Sequence, residues 1–154
     1  MFAASIFKSL MDMLLPELKK SPAIKTTGKV VIATVAGDIH DIGKNLVASM
    51  LEASGFEVID LGVNVPAEVI CGAITEHRPD ILALSCLLTS TIDSMEETIT
   101  AISSASLRER LKIIVGGSPL SPEVATTIRA DSYGDNAHEA VVRCRELLSQ
   151  RNGE

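Results

Sequence analysis

The chain has 154 residues, 46% hydrophobic and 22% charged, with a formal net charge of −6 at pH 7. This length suffices for one domain that buries roughly 70% of its unfolded surface without disulfides or a metal staple. The acidic balance, with no basic face interleaved with aromatics, excludes nucleic acid and anionic membrane as partners; aromatics at 3%, with no Trp, leave an aliphatic core.

Residues 2–20 carry Phe2, Ile6, Phe7, Leu10, Met11, Leu14 and Leu18 at three- and four-residue steps, which predicts an amphipathic helix. Lys8, Asp12 and Glu17 interrupt it, so it is neither a signal peptide nor a membrane span. Ser21-Pro22 ends it, and Lys25-Thr26-Thr27-Gly28 reads as a short polar linker. An alternation of strands and helices follows. Strands are predicted at 29–35, 57–61, 80–85, 111–115 and 131–133, and helices at 43–54, 66–77, 91–105, 121–129 and 135–150. The first, third and fourth strands are continuous apolar runs, as parallel strands buried on both faces require. Gly55 follows one helix, and Pro66 and Pro122 stand at first-turn positions of two others. The pattern predicts an α/β fold with a doubly wound, five-stranded parallel sheet, flavodoxin-like or Rossmann-like, in strand order 2-1-3-4-5. The loops after the first and third strands then share the crevice where such sheets bind ligands. Cys71, Cys86 and Cys144 lie far apart and suit reduced core thiols in a cytoplasmic protein.

The first of those loops is Gly37-Asp38-Ile39-His40-Asp41-Ile42-Gly43-Lys44-Asn45. It is not a P-loop: five residues separate Gly37 from Gly43, and Asn45 stands where a magnesium-binding hydroxyl belongs. No GxGxxG is present, and Ser85 and Cys86 occupy the place of a receiver domain's phosphoacceptor aspartate. Taken alone, His40 reads more readily as a surface or helix-cap histidine. Its setting changes that balance. Asp38, two residues earlier, can take the proton of one ring nitrogen and leave the other free for a metal. One histidine without further ligands does not make an ordinary zinc site, whereas a metal carried in its own macrocycle needs one axial ligand. Ser85, Thr89, Ser90 and Thr91 form a hydroxyl-rich loop in which one residue is expected to cap the next helix. Gly116-Gly117 serves either as a turn or as bare backbone against a ligand. His77 and His138 read as solvated, and Cys86 as a core thiol.

Asp38-x-His40-x-x-Gly43, then 41 residues, Ser85-x-Leu87, then 28 residues and Gly116-Gly117, resembles the cobalamin-binding domains over about residues 28–150. GDIHDIGKNLV, SCLLTST and VGGSPLSPEVA are most similar to corrinoid proteins of the methyl-transfer class, which serve methanol-, methylamine- and methoxyarene-type methyltransferases, and to the cobalamin module of methionine synthase. Adenosylcobalamin mutases share the DxHxxG core but differ in its flanks and in the loop after SxL.

The resemblance implies a corrinoid cofactor, cobalamin or methylcobalamin, with His40 as the lower axial ligand of cobalt. Asp38 would hold the imidazole and Thr91 extend the hydrogen-bonded chain. Gly43, Ser85, Leu87, Gly116 and Gly117 would line the path of the displaced nucleotide tail, with Ile39, Asp41, Ile42 and Thr89 beside it. Tyr133, Asp135 and Ala137 would close the far side. It implies a methyl carrier, cycling between Co(I) and methyl-Co(III), with no catalytic group of its own. The pH dependence of histidine ligation would run through Asp38 and Thr91. The partners implied are a substrate-specific methyltransferase, a second methyltransferase and a reductive activase. The alternatives are a small subunit of an adenosylcobalamin mutase and a cobalamin sensor or storage module. The first helix resembles the last helix of a four-helix cap, dividing the chain into 1–26, helix and linker, and 27–154, the cobalamin-binding domain. Phe2, Phe7 and Leu10 would then be apolar surface seeking cover, and association of copies through this helix is the expectation.

Overall fold

The apolar runs become the centre of a parallel sheet. The computed structural model describes residues 2–19 and 26–153, so the helix end at Ser21-Pro22 and the start of the linker lie outside the described residues. The elements are α1 (Phe2–Lys19), β1 (Lys29–Thr34), α2 (Ile42–Ala53), β2 (Glu57–Asp60), α3 (Ala67–His77), β3 (Ile81–Ser85), α4 (Ile92–Ser104), β4 (Lys112–Gly116), α5 (Pro122–Thr127), β5 (Ser132–Tyr133) and α6 (Ala137–Asn152), with a 3-10 turn at Thr89–Thr91. The five strands pair in parallel in the order β2-β1-β3-β4-β5, as the sequence predicts.

Strand alternation sends successive side chains to opposite layers. Val31, Ala33, Leu82, Leu84, Ile113 and Val115 meet Ile70 of α3, Met95, Ile99 and Ile102 of α4, and Ala125 of α5. Val30, Ile32, Ile81, Ala83 and Ile114 meet Leu51 of α2 and Ala140, Val141, Cys144 and Leu147 of α6. The register places Val31 beside Leu82 and Leu82 beside Ile113, so the carboxyl ends of β1, β3 and β4 finish together at Thr34, Ser85 and Gly116. That shared edge carries the candidate site.

Some expectations are corrected. Pro66 is the N-cap of α3, extended at φ −63 and ψ 152, and the helix begins one residue later. The hydroxyl-rich loop does not cap α4 through a side chain: Thr91 holds the N-cap position, but its hydroxyl turns toward Asp38 and Leu88. The helix predicted at 121–129 is shorter; Ser121 caps it by accepting the Val124 N–H at 3.2 Å, and it ends at Thr127. Cys71 is half-buried rather than fully in the core, while Cys86 and Cys144 are buried. α1 lies against α2 and leaves Ile6, Leu10, Met13 and Leu14 exposed. The side chains of Phe2 and Phe7 lie outside what is described.

Candidate functional site

β1 delivers its last residues to a sharp turn. Val35 still bridges to Val65, and Gly37 then takes φ +84, a left-handed conformation that costs glycine little. The turn drives Asp38 inward, where it is fully buried. A buried carboxylate is tolerated only with its lone pairs satisfied, and here both oxygens are. Oδ1 accepts the His40 backbone N–H at 3.0 Å and lies 2.7 Å from His40 Nδ1. Oδ2 accepts the N–H groups of Leu87 at 2.6 Å and Leu88 at 3.1 Å, and the Thr91 hydroxyl at 3.0 Å. Burial alone pushes the Asp38 carboxyl up; the hydrogen bonds from Leu87, His40 and Leu88 outweigh it and hold the group well below the usual carboxylate range. Asp38 is therefore an anion in the folded protein.

This anion orients His40. Nδ1 faces Asp38 Oδ1, and the His40 carbonyl accepts the Thr34 hydroxyl at 2.9 Å. The His40 side chain remains 46% exposed. Nε2 has no partner among the described residues. The Thr91 hydroxyl has one proton and two acceptors, Asp38 Oδ2 and, at 2.7 Å, the Leu88 carbonyl. It stands behind the histidine as a second layer.

Beside His40 a cavity of about 840 Å³ runs between α2 and α6 over the carboxyl edge of the sheet. Its walls include Gly43, Leu46 and Val47 of α2, Ala83 and Ser85 of β3, Ile114 and Gly116 of β4, and Ala140 and Cys144 of α6. Two glycines keep one wall thin. A Cβ on Gly117, at φ +136, would stand 1.7 Å from the Cys86 carbonyl oxygen; one on Gly116 would come to 3.2 Å from the Gly134 oxygen. Ile39, Ile42 and Leu87 form an apolar rim, exposed at 74%, 65% and 43%.

The predicted residues Ile39, His40, Asp41, Ile42, Gly43, Ser85, Leu87, Gly116, Gly117, Tyr133, Asp135 and Ala137 all line this cavity. Asp38 and Thr91 stand behind it. Thr89 is not among its walls. The Tyr133 hydroxyl donates to Asp135 Oδ1 at 3.1 Å; burial, then Asp135, push its phenol above the usual range. Sequence reasoning missed Leu46, Ala140 and Cys144 as cavity walls, because on α2 and α6 they follow the same apolar period as ordinary core residues. It also missed Lys44, a buried lysine whose Nζ lies 2.8 and 2.6 Å from the oxygens of Asp60. Its only sequence signal is a charge at the start of a buried helix face. His77 and His138 lie away from the cavity, as expected.

The donor set is one oriented imidazole. No three His, Cys, Asp or Glu side chains cluster to hold a metal ion among the described residues. A single axial donor beside a deep, largely apolar slot with glycine walls fits a metal that brings its own in-plane ligands together with a bulky appended group.

Comparison with known proteins agrees with this geometry. Residues 28–142 match the family described as B12 binding domain. The chain is 38% identical over 148 residues to dimethylamine corrinoid protein 2 of Methanosarcina acetivorans, covering 96% of this chain and 68% of that one. A cobalamin-binding protein from Desulfitobacterium hafniense DCB-2 superposes with a TM-score of 0.78 at 44% identity, covering 95% of this chain and 68% of that one. The Methanosarcina barkeri monomethylamine corrinoid protein superposes with a TM-score of 0.82 at 33% identity, covering 94% and 68%. The methanol:cobalamin methyltransferase complex MtaBC of the same organism gives 0.77 at 28% identity, covering 86% and 51%.

Proposed function

This chain belongs to the B12-binding domain family, and from that membership we propose that it carries a methyl group on a bound corrinoid between separate methyltransferases. The observation that carries this reading is the Asp38–His40 pair: an anion fixed by both neighbouring loops holds Nδ1 and leaves Nε2 open beside the cavity. The corrinoid, when bound, supplies the cobalt that accepts the methyl group and gives it up again. His40 Nε2 would hold that cobalt. Asp38 keeps the ring proton on Nδ1, so the lone pair sits on Nε2 where the metal needs it. Thr91, Leu87 and Leu88 keep Asp38 ionised and in place. Gly43, Ser85, Gly116, Gly117, Ala140 and Cys144 take the appended nucleotide tail and exclude water from it. Tyr133, Asp135 and Ala137 close its far side.

The relatives support the carrier role and the class of partner. They include dimethylamine and monomethylamine corrinoid proteins, and a solved neighbour is a methanol:cobalamin methyltransferase complex. The adenosylcobalamin mutase alternative is not favoured by this company. We assign a substrate-specific methyltransferase and a second methyltransferase as partners, with a reductive activase to recover oxidised cobalt. No helix among the described residues is long and apolar enough to cross a membrane, and a cytoplasmic location is part of the proposal. So is the division into 1–26 and 27–154, with α1 as the surface through which copies associate.

The test is a visible spectrum after incubation with hydroxo- or methylcobalamin and removal of free cofactor, for wild type and His40→Ala. Retained corrinoid with a spectrum that His40→Ala alters is the expected result. Identical spectra would remove His40 as the ligand, and no retention by wild type would overturn the carrier role.

A further inference from the structure

The loop between β2 and α3 contributes no wall to the cavity, yet it grips the His40 loop. Asn64 makes the contact. Its Oδ1 accepts the Gly37 N–H at 2.8 Å, and its own N–H donates to the Asp38 carbonyl at 2.8 Å. These bonds continue the parallel ladder past its regular end: Thr34 N–H reaches the Gly62 carbonyl at 3.0 Å, and Val65 N–H reaches the Thr34 carbonyl at 3.1 Å. Beyond Val35 the chain turns, and a plain backbone can no longer supply the next acceptor. The Asn64 side chain supplies it instead. Asn64 takes φ +50 to do so, a left-handed conformation that asparagine adopts more readily than most residues.

We propose that Asn64 is a positioning residue for His40, an inference that rests on His40 being the cobalt ligand. Asp38 is held on two sides: its carboxylate by Leu87, Leu88 and Thr91, and its backbone by the Val35 carbonyl and the Asn64 N–H, with the Asn64 side chain fixing the preceding Gly37. His40 in turn donates its backbone N–H to that carboxylate and is oriented by it at ring Nδ1. A shift of the Gly37–Asp38 backbone swings Asp38 Oδ1, and the imidazole with it. Asn64 is thus two bonded steps from the ring without touching the cavity. Asn64 and Gly37 are both exposed, so water can replace their bond, and the global cost of losing it is small. That separates positioning from support of the fold.

Two deletions and one conservative variant test it. Asn64→Gly keeps the left-handed backbone without an acceptor. Asn64→Ala lacks the acceptor without glycine's added freedom. Asn64→Asp keeps an acceptor oxygen. In cofactor-free protein, amide exchange at His40, three residues beyond the Gly37 N–H that loses its acceptor, is expected to rise about fivefold in both deletions, the scale of one exposed hydrogen bond. In Asn64→Gly, exchange at Leu82 in the core and the melting temperature stay at wild-type values, whereas Asn64→Ala adds a global loss from its Cβ at φ +50. With cobalamin loaded, both deletions retain the cofactor but show a smaller histidine-ligated fraction, read from the axial-nitrogen splitting in the Co(II) electron paramagnetic spectrum. Asn64→Asp restores both readings. Wild-type exchange at His40 in both deletions would overturn the proposal, as would an unchanged ligated fraction. So would, in Asn64→Gly, a melting temperature that falls in step with exchange at every amide, which would make Asn64 a support of the fold only. Failure of wild type to retain corrinoid would instead overturn the functional reading, and would show itself without any Asn64 variant.

Discussion

One oxygen of Asp38 serves two groups of His40: Oδ1 lies 2.7 Å from the ring Nδ1 and 3.0 Å from the backbone nitrogen. The ring and the chain that carries it are thereby referred to the same point. The other oxygen is spent entirely on the loop after β3. Removing this carboxylate therefore disturbs two loops and a ligand together.

Asp38 makes stability depend on acid. Its carboxyl is held low in the folded protein against 3.8 unfolded. The contribution is complete above the unfolded value and is lost as pH falls from there toward the lowered folded one. In Asp38→Asn the amide NH₂ must face one of the donors, which costs about 3 kcal/mol at pH 7. Urea melts at pH 7, 5, 4 and 3 should show wild type losing stability more steeply below about pH 4 than the variant. Parallel curves would refute this.

The two glycines after β4 separate folding from binding. Gly117→Ala places a methyl 1.7 Å from the Cys86 carbonyl oxygen at φ +136, so backbone must move. A loss of more than about 3 kcal/mol is expected. Gly116→Ala meets the Gly134 oxygen at 3.2 Å and narrows a cavity wall. Its expected cost is about 1 kcal/mol, with corrinoid affinity at least about tenfold weaker. Thermal melts and cofactor titration of both variants decide the matter.

The Lys44–Asp60 pair is lopsided: the lysine side chain is 2% exposed and the aspartate 37%. Lys44→Met leaves a carboxylate that water can reach, and should cost about 1 kcal/mol. Asp60→Ala leaves a buried ammonium whose one remaining partner among the described residues is the Asn45 amide oxygen, 2.7 Å away, and should cost about 3 kcal/mol. Denaturant melts with equal losses for the two variants would show that burial does not govern this pair.

The thiols should react in order. Burial pushes Cys86 up to about 11 and Cys144 up to about 12, and the thiolate is the reactive form. Cys71 is half-buried, its thiol raised by burial and by Glu68. An aromatic disulfide reagent at neutral pH should find one thiol well ahead of the other two, and all three after denaturation. Bound corrinoid should protect Cys86 and Cys144 further, since both line the cavity. Rapid reaction of Cys144 in the native protein would contradict its burial.

Much of the site could be read from the chain because its strands are apolar runs and its loops are not. Val30–Val35, Ile81–Leu84 and Ile113–Val115 announce buried parallel strands, and the polar cluster at 37–45 stands out against them. What stayed hidden is what periodicity cannot label. Cys144 and Ala140 look the same whether a helix packs on a sheet or on an open slot. Thr91 reads as a cap by composition alone, and its link to Asp38 comes only from the resemblance, because that bond depends on β1 and β3 lying side by side. Asn64 carries no signal beyond its turn residues, since its partner Gly37 is 27 positions away.

The separations inside the Asp38 network set when the site can exist. Its bonds to Leu87, Leu88 and Thr91 span 49, 50 and 53 residues. Closing loops of that length is an entropic cost met only once β1 and β3 have paired. An amino-terminal fragment that ends before Thr91 therefore lacks part of the network that holds the anion and, through it, the imidazole. A cofactor that binds only where β1 and β3 are paired stabilises that pairing by mass action.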